Sequence, residues 1–293
     1  MLLQQLANGL ALGSVYALFA LGFTLIFGVL EIISLAHGAV FMVGAFAGLT
    51  VATKFNLGII PAIAAGMITA GLFGLVIELI ALRPLRNRKH HHLAPMIATI
   101  GCATMITSLY QGVFGAEVYR FPFDIMPSTI FTVGGVRLEL IQIVIIGTSF
   151  ALMIVMAFLI RRTAWGTAVR AVAENSRTAS LLGIPVERVY GITSFLSSAL
   201  GGAAGVLTGL NFNAIHTYMG GPILHRGIAV IILGGMGDIR GAMLGGIILG
   251  FSEVLSVAYL SSDFRDAVSF GLLFLILLVR PSGIFGAAAE RKG

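Results

Sequence analysis

Long apolar runs follow one another along almost the whole chain, and any fold must place them somewhere other than water. Nine candidates stand out, at roughly 6–29, 34–53, 57–82, 93–115, 139–160, 188–210, 223–236, 241–260 and 264–280. A membrane-crossing helix needs about 20 apolar residues. In hydrocarbon every backbone N–H and C=O must be bonded inside the protein, which leaves helices or a closed barrel. The period-2 alternation of a membrane barrel is absent. The sequence therefore predicts an all-α polytopic membrane protein of about 8–9 transmembrane or re-entrant helices, a single domain over residues 1–293. Charged residues are only 10% of the chain, against roughly 25% in a soluble domain. The 38 glycines suit helices that approach backbone to backbone. No basic segment precedes the first run, so 6–29 reads as a retained span and not a cleaved signal.

Charge lies between the runs, so a pI near 9.9 speaks of orientation in a membrane and not of nucleic acid. Threading the nine runs alternately gathers 13 of the 18 Lys and Arg residues on one side. They are Arg83, Arg86, Arg88 and Lys89, then Arg161, Arg162, Arg170, Arg177 and Arg188, then Arg240, Arg280, Arg291 and Lys292. Lys54, Arg120, Arg137, Arg226 and Arg265 fall on the other side. Basic loops stay in the cytoplasm, which implies N-terminus out and C-terminus in. Merging 223–236 with 241–260 would invert the C-terminus. His90, His91 and His92 sit in one of the basic loops and read as a solvated cluster at the lipid surface, not as a metal site. The segment 116–138, with two prolines and several aromatics, is either an ordered cap over one mouth of the bundle or a plain connector.

The stretch from Arg161 to Arg188 concentrates charge between two spans. Ala168, Ala171, Val172, Ala179 and Leu182 recur among its polar residues at helical spacing, the pattern of an amphipathic helix lying outside the bilayer. Gly183 suits a left-handed C-terminal cap and Pro185 the first turn of the next helix. One helix of about 16 residues would be about 24 Å long, enough to present a peg to a soluble partner, with its apolar stripe in the partner's groove and charges at the rim. Without a partner, it reads as a helix held on the membrane by anionic lipid.

Recognisable catalytic chemistry is missing. The sequence contains no P-loop for ATP, no H-E-x-x-H, no nucleophile elbow and a single cysteine, Cys102. Ionisable residues at depth are few. Glu253 lies in the middle of an apolar run, where it either lines a pathway or tethers helices through hydrogen bonds. Glu78 is explained by pairing with a nearby arginine. His37 either faces a gate or substrate or is a buried histidine bonded to backbone. Two segments, Glu31–Gly48 and Leu233–Gly250, each place a polar or glycine-rich break before a short apolar helix. Broken helices in matching halves mark a substrate path; glycine-rich helix packing explains the same pattern. His37, Gly38, Gly234, Gly235 and Glu253 are the candidate path residues.

Several segments, in order, resemble one family: A-L-G-S-V-Y-A-L-F-A-L-G-F-T-L-I-F-G (11–28), I-S-L-A-H-G-A-V-F-M-V-G-A (33–45), E-L-I-A-L-R-P-L-R (78–86), R-A-V-A-E-N-S-R-T-A-S-L-L-G-I (170–184) and the stretch from Leu233 to Gly286. The family is that of the membrane permease subunits of branched-chain amino-acid ABC importers, LivH more than LivM. The resemblance implies an ABC importer permease fold, non-catalytic itself, with ATP bound by two separate cytoplasmic ATPase subunits and no cofactor or metal of its own. It implies a second, related permease subunit, an extracytoplasmic solute-binding protein and a bacterial cytoplasmic membrane. The docking role of the charged loop falls on Arg170, Ala171, Glu174, Asn175, Ala179, Leu182 and Gly183. Urea and short-amide permeases share much of the pattern. An ion-coupled transporter acting alone, relying on a carboxylate such as Glu253, and a membrane-embedded enzyme are the competing classes.

Overall fold

Glycine decides where the helices touch. The computed structural model describes residues 2–86, 93–122, 130–133 and 136–286; the histidine run 90–92, Arg88, Lys89, Arg291 and Lys292 lie outside the described residues. α1 (Leu2–Leu30) runs antiparallel to α11 (Ile239–Tyr259) and also packs on α9 (Val186–Phe212). Along the first seam Gly13 lies on Ile247 and Gly246 on Ala17, so close that a Cβ at either glycine would strike the partner backbone. A second seam joins α2 (Ala36–Lys54), α3 (Ile59–Ile77) and α9. There Gly44 rests on the Gly202 backbone and Gly66 on Val206. Lipid is as apolar as leucine, so helices in a bilayer associate by close packing more than by escape from water, and small residues permit it. α1 is accordingly buried on nearly every side, with Phe19 packed on Phe23 and Phe41 and Phe46 of α2 packed on Tyr110, Phe114 and Tyr119.

Seven described helices are long and apolar enough to cross a membrane on their own. The other two candidates are shorter: α10 (Gly220–Gly234) and α12 (Arg265–Val279) have 15 residues each. α10 and α11 are separate helices joined by a break at 235–238, so the two runs do not merge. Gln4, near the start of α1, exchanges hydrogen bonds of 2.9 and 2.8 Å with the backbone of Arg137 in a small hairpin, β1 (Ile130–Val133) and β2 (Val136–Glu139). The segment 283–286 pairs instead with the end of α10, where Ile284 N–H donates to Leu233 at 2.9 Å. Gln4 and the segment 283–286 thus sit at opposite ends of the bundle.

Two local departures have clear causes. α3 widens into a π-turn at Glu78–Leu82 before a last turn, α4 (Arg83–Arg86). Pro84 has no N–H to offer the carbonyl four residues back, and a wider turn absorbs the mismatch. Between α1 and α2 the chain doubles back: His37, the second residue of α2, packs against Gly22. That is eight residues short of the end of α1, or about 12 Å at 1.5 Å per residue. α2 therefore begins inside the bundle. Of the 116–138 segment, the described part is an ordered cap. Tyr119 and Ile215 exchange backbone hydrogen bonds of 2.8 Å, and Asn213 accepts from the Phe121 N–H at 2.9 Å.

α5 (Ala94–Phe114) and α6 (Leu140–Arg162) complete the bundle at its edges. Replacing Gly44 with valine drives side-chain carbons into the Gly202 backbone. Overpacking of this kind costs about 1–3 kcal/mol, and G44V is expected to melt well below the parent in detergent, read by size-exclusion after heating.

Candidate functional site

The charged stretch is two helices, not the single 16-residue peg that its periodicity suggests. α7 (Ala164–Glu174) starts at Thr163, whose hydroxyl accepts from the Gly166 N–H at 3.1 Å. At Asn175 the backbone becomes extended (φ −160°, ψ 102°), and its side chain caps α8 (Ser176–Leu181) by accepting from Thr178 N–H at 2.8 Å. Asparagine does this well because its short carbonyl reaches the free N–H groups of a helix start. Gly183 (φ +84°) then closes α8, with Ile184 N–H bonded to Ala179 at 3.1 Å in a left-handed cap that glycine adopts without strain.

The apolar stripe of this stretch is spent inside the protein. Val169, Val172 and Ala179 are buried against Val29, Val189 and Tyr190, with Ala168 and Ala171 partly buried beside them. Arg170 donates to the Ile160 carbonyl at the end of α6 and to Thr167 at 3.3 Å. Of the residues assigned to docking, Arg170, Ala171 and Ala179 thus anchor the pair of helices, while Asn175 and Gly183 shape the backbone. Glu174 and Leu182 face outward. Leu182 is 76% exposed and Leu181, which periodicity did not single out, is 82% exposed. Two adjacent leucines before the capping glycine were the available signal, since one helix face cannot bury both.

On one side of the bundle, a groove of about 360 Å3 opens between α2, α5 and α10. Among the described residues, no charged side chain lines it. Thr104, Thr107, Ser108 and Gln111 from α5 face Thr217 and Tyr218, with Met42 and Leu224 supplying apolar surface. Gln111 and Tyr218 are hydrogen-bonded across it. The first turns of α2 and α10 meet here: Gly38 and Gly220 touch backbone to backbone, and neither helix start carries a side-chain cap.

Of the candidate path residues, Gly38 alone lines this groove. His37 is 1% exposed, ringed by Phe19 and Phe23 at centroid distances of 4.8 and 5.5 Å. A Cβ at Gly201 would lie 3.1 Å from its Nε2. Gly234 and Gly235 form the break after α10, Gly235 at φ +107°, clasped by the segment 283–286. Glu253 is fully buried and joins four helices. Its carboxylate accepts from the Tyr16 hydroxyl of α1 at 2.9 Å and from Ser269 of α12 at 3.2 Å. Arg226 of α10 and Arg265 of α12 pair with it at 2.8 and 2.9 Å. Glu78 pairs with Arg86. The described residues hold no cluster of three metal-ligating side chains.

Residues 5–277 match the family described as "Branched-chain amino acid transport system / permease component". The high-affinity branched-chain amino acid transport system permease protein LivH of Salmonella typhimurium is 38% identical over 304 residues, covering 99% of this chain and 97% of the relative. BraD of Pseudomonas aeruginosa, a permease protein described in the same terms, is 35% identical over 301 residues, with the same coverage. Among solved structures, PsaBC from Streptococcus pneumoniae in complex with Fab aligns with a TM-score of 0.54 over 95% of this chain and 92% of that one, at 12% identity. At that identity the likeness is one of fold.

Glu253→Gln would leave Arg226 and Arg265 facing a neutral amide at a buried site. Breaking such a pair from one side costs on the order of 3 kcal/mol, and the variant is expected to show a clearly lowered unfolding midpoint in detergent, followed by tryptophan fluorescence.

Proposed function

This chain belongs to the family of permease components of branched-chain amino acid transport systems, and on that premise we propose that it forms the membrane pathway of an ATP-driven importer for branched-chain or other neutral, hydrophobic amino acids. The protein is a single permease domain of a bacterial cytoplasmic membrane, N-terminus outside and C-terminus inside. A second, homologous permease subunit pairs with it as a heterodimer. An extracytoplasmic solute-binding protein delivers the substrate, and two cytoplasmic ATPase subunits bind the ATP.

The observation that carries this reading is the exposed Leu181–Leu182 tip on a base packed into the bundle. A soluble motor needs an apolar handhold, and force on the tip must reach the spans. Ala179 and Val172 transmit it to Val189 and Val29, on α9 and α1. ATP can shift the bundle between two states only through its differential affinity for them, so the contact must differ between open and closed ATPases. The groove supports the substrate class. The uncapped starts of α2 and α10 present the positive ends of two helix dipoles, which favour a carboxylate. Hydroxyls of Thr104, Thr107 and Ser108 serve the ammonium group, and Met42 and Leu224 take the aliphatic tail. A substrate with a charged side chain would find no partner there.

An ion-coupled transporter would want a carboxylate free to bind and release a cation at depth. Glu253 is held by two guanidinium groups and is a structural tie instead. The test is reconstitution of the permease pair with its ATPases and binding protein in vesicles. Leu181→Asp with Leu182→Asp should lower ATP-driven uptake of leucine by roughly tenfold or more, equivalent to ~1.4 kcal/mol of lost docking, while insertion is retained. Undiminished uptake by the double variant, or uptake by this chain alone under an ion gradient, would sink the reading.

A further inference from the structure

A second and larger groove, about 840 Å3, opens where α3, α4, α8 and α9 meet, on the flank of the coupling helices. Arg83, Arg86, Arg177 and Arg188 line it, and Glu187 is the one carboxylate among its lining residues. Glu187 pairs with Arg83 at 3.1 Å and with Arg86 at 3.4 Å. Arg86 is further fixed by the buried Glu78 and by stacking 3.8 Å over the Tyr190 ring. Arg177 and Arg188 are exposed and make no ion pair among the described residues. The groove therefore carries a surplus of positive charge, with two guanidinium groups uncommitted.

Its upper wall is apolar. Leu75, Leu79 and Ile192 line it, and Leu79 and Ile192 are each 45% exposed. From there a stripe of exposed aliphatic residues climbs α3 at intervals of four: Ile80, Val76, Leu72 and Ile68. That stripe belongs to a membrane span, which puts it at hydrocarbon depth, out of reach of a soluble protein. Guanidinium groups below an aliphatic track match a phosphodiester headgroup with its chains attached. Arginine takes phosphate oxygens through paired N–H donors, and basic pockets at the membrane surface between spans hold anionic headgroups.

We propose that this groove is a binding site for an anionic phospholipid, its phosphate held by Arg177 and Arg188 and its acyl chains laid along α3. Ser176 and Ser180 of α8 lie in the same wall and add hydroxyl donors. A bound headgroup thus fastens the outer coupling helix to the span beside it. A zwitterionic lipid is disfavoured because it brings an ammonium group into an arginine cluster.

The test uses the full-length chain in detergent, exposed to equimolar phosphatidylglycerol and phosphatidylethanolamine and examined by native mass spectrometry for retained lipid. The parent protein is expected to keep phosphatidylglycerol in preference. Arg177→Gln with Arg188→Gln should reduce that retention by about thirtyfold, two arginines being lost from the surface site. The double lysine variant should retain a good part of it, and Arg137→Gln, at the opposite end of the bundle, should change nothing. Equal retention of the two lipids by the parent protein overturns the proposal. So does undiminished phosphatidylglycerol on the double glutamine variant, or an equal loss in Arg137→Gln. Pull-down of the ATPase subunits by the same variants supplies the second readout: if the glutamine variant keeps its lipid but loses the ATPases, the groove belongs to the motor and the lipid site is refuted. Lipid retention needs neither ATP nor transport, so this result and the permease reading stand or fall separately.

Discussion

Close contact between helix backbones is the constraint on which the rest of the protein depends. Water drives apolar helices together in a soluble bundle, but a bilayer offers each helix an equally good solvent. What remains is dispersion, which falls away steeply when surfaces part by even half an ångström. The seams at Gly13 with Ile247 and at Gly44 with Gly202 satisfy this by removing side chains where two backbones meet. Everything functional is hung on those seams. α2 can begin inside the bundle because Gly22 and Gly201 leave room for His37. α10 can begin beside it because Gly38 and Gly220 carry nothing between them. Two helix starts converge on an uncharged groove as a result.

Charge is handled in the opposite way, by concentrating it at the two ends. At one end Glu253 holds α1, α10, α11 and α12 together through Tyr16, Arg226, Arg265 and Ser269. At the other, Glu78 and Glu187 share Arg83 and Arg86 between α3, α4 and α9. Neither cluster lines the groove between α2, α5 and α10. α7 and α8 pack on α1 and α9 through Val29 and Val189.

Much of this was legible beforehand. The apolar runs announced the spans within a few residues, since length and composition are enough where hydrocarbon is the solvent. Gly183 announced its own cap. The single amphipathic helix did not survive, because Asn175 prefers to bond the next turn's N–H groups over continuing the helix. Nor did the outward role of the apolar stripe. Periodicity identifies a face that will be covered but not what covers it, and here Val189 and Val29 of the same chain are the cover.

Composition and order of residues were sufficient for the class of fold, the number of apolar runs and the family, because those rest on local physics: hydropathy, helix length and short matching segments. The groove between α2, α5 and α10 and the four-helix tie around Glu253 come from residues far apart in the chain. Tyr16 and Glu253 are separated by 237 positions, and no local rule connects them. They meet because glycine seams set the depth at which each helix starts, and that depth is a property of the assembled bundle.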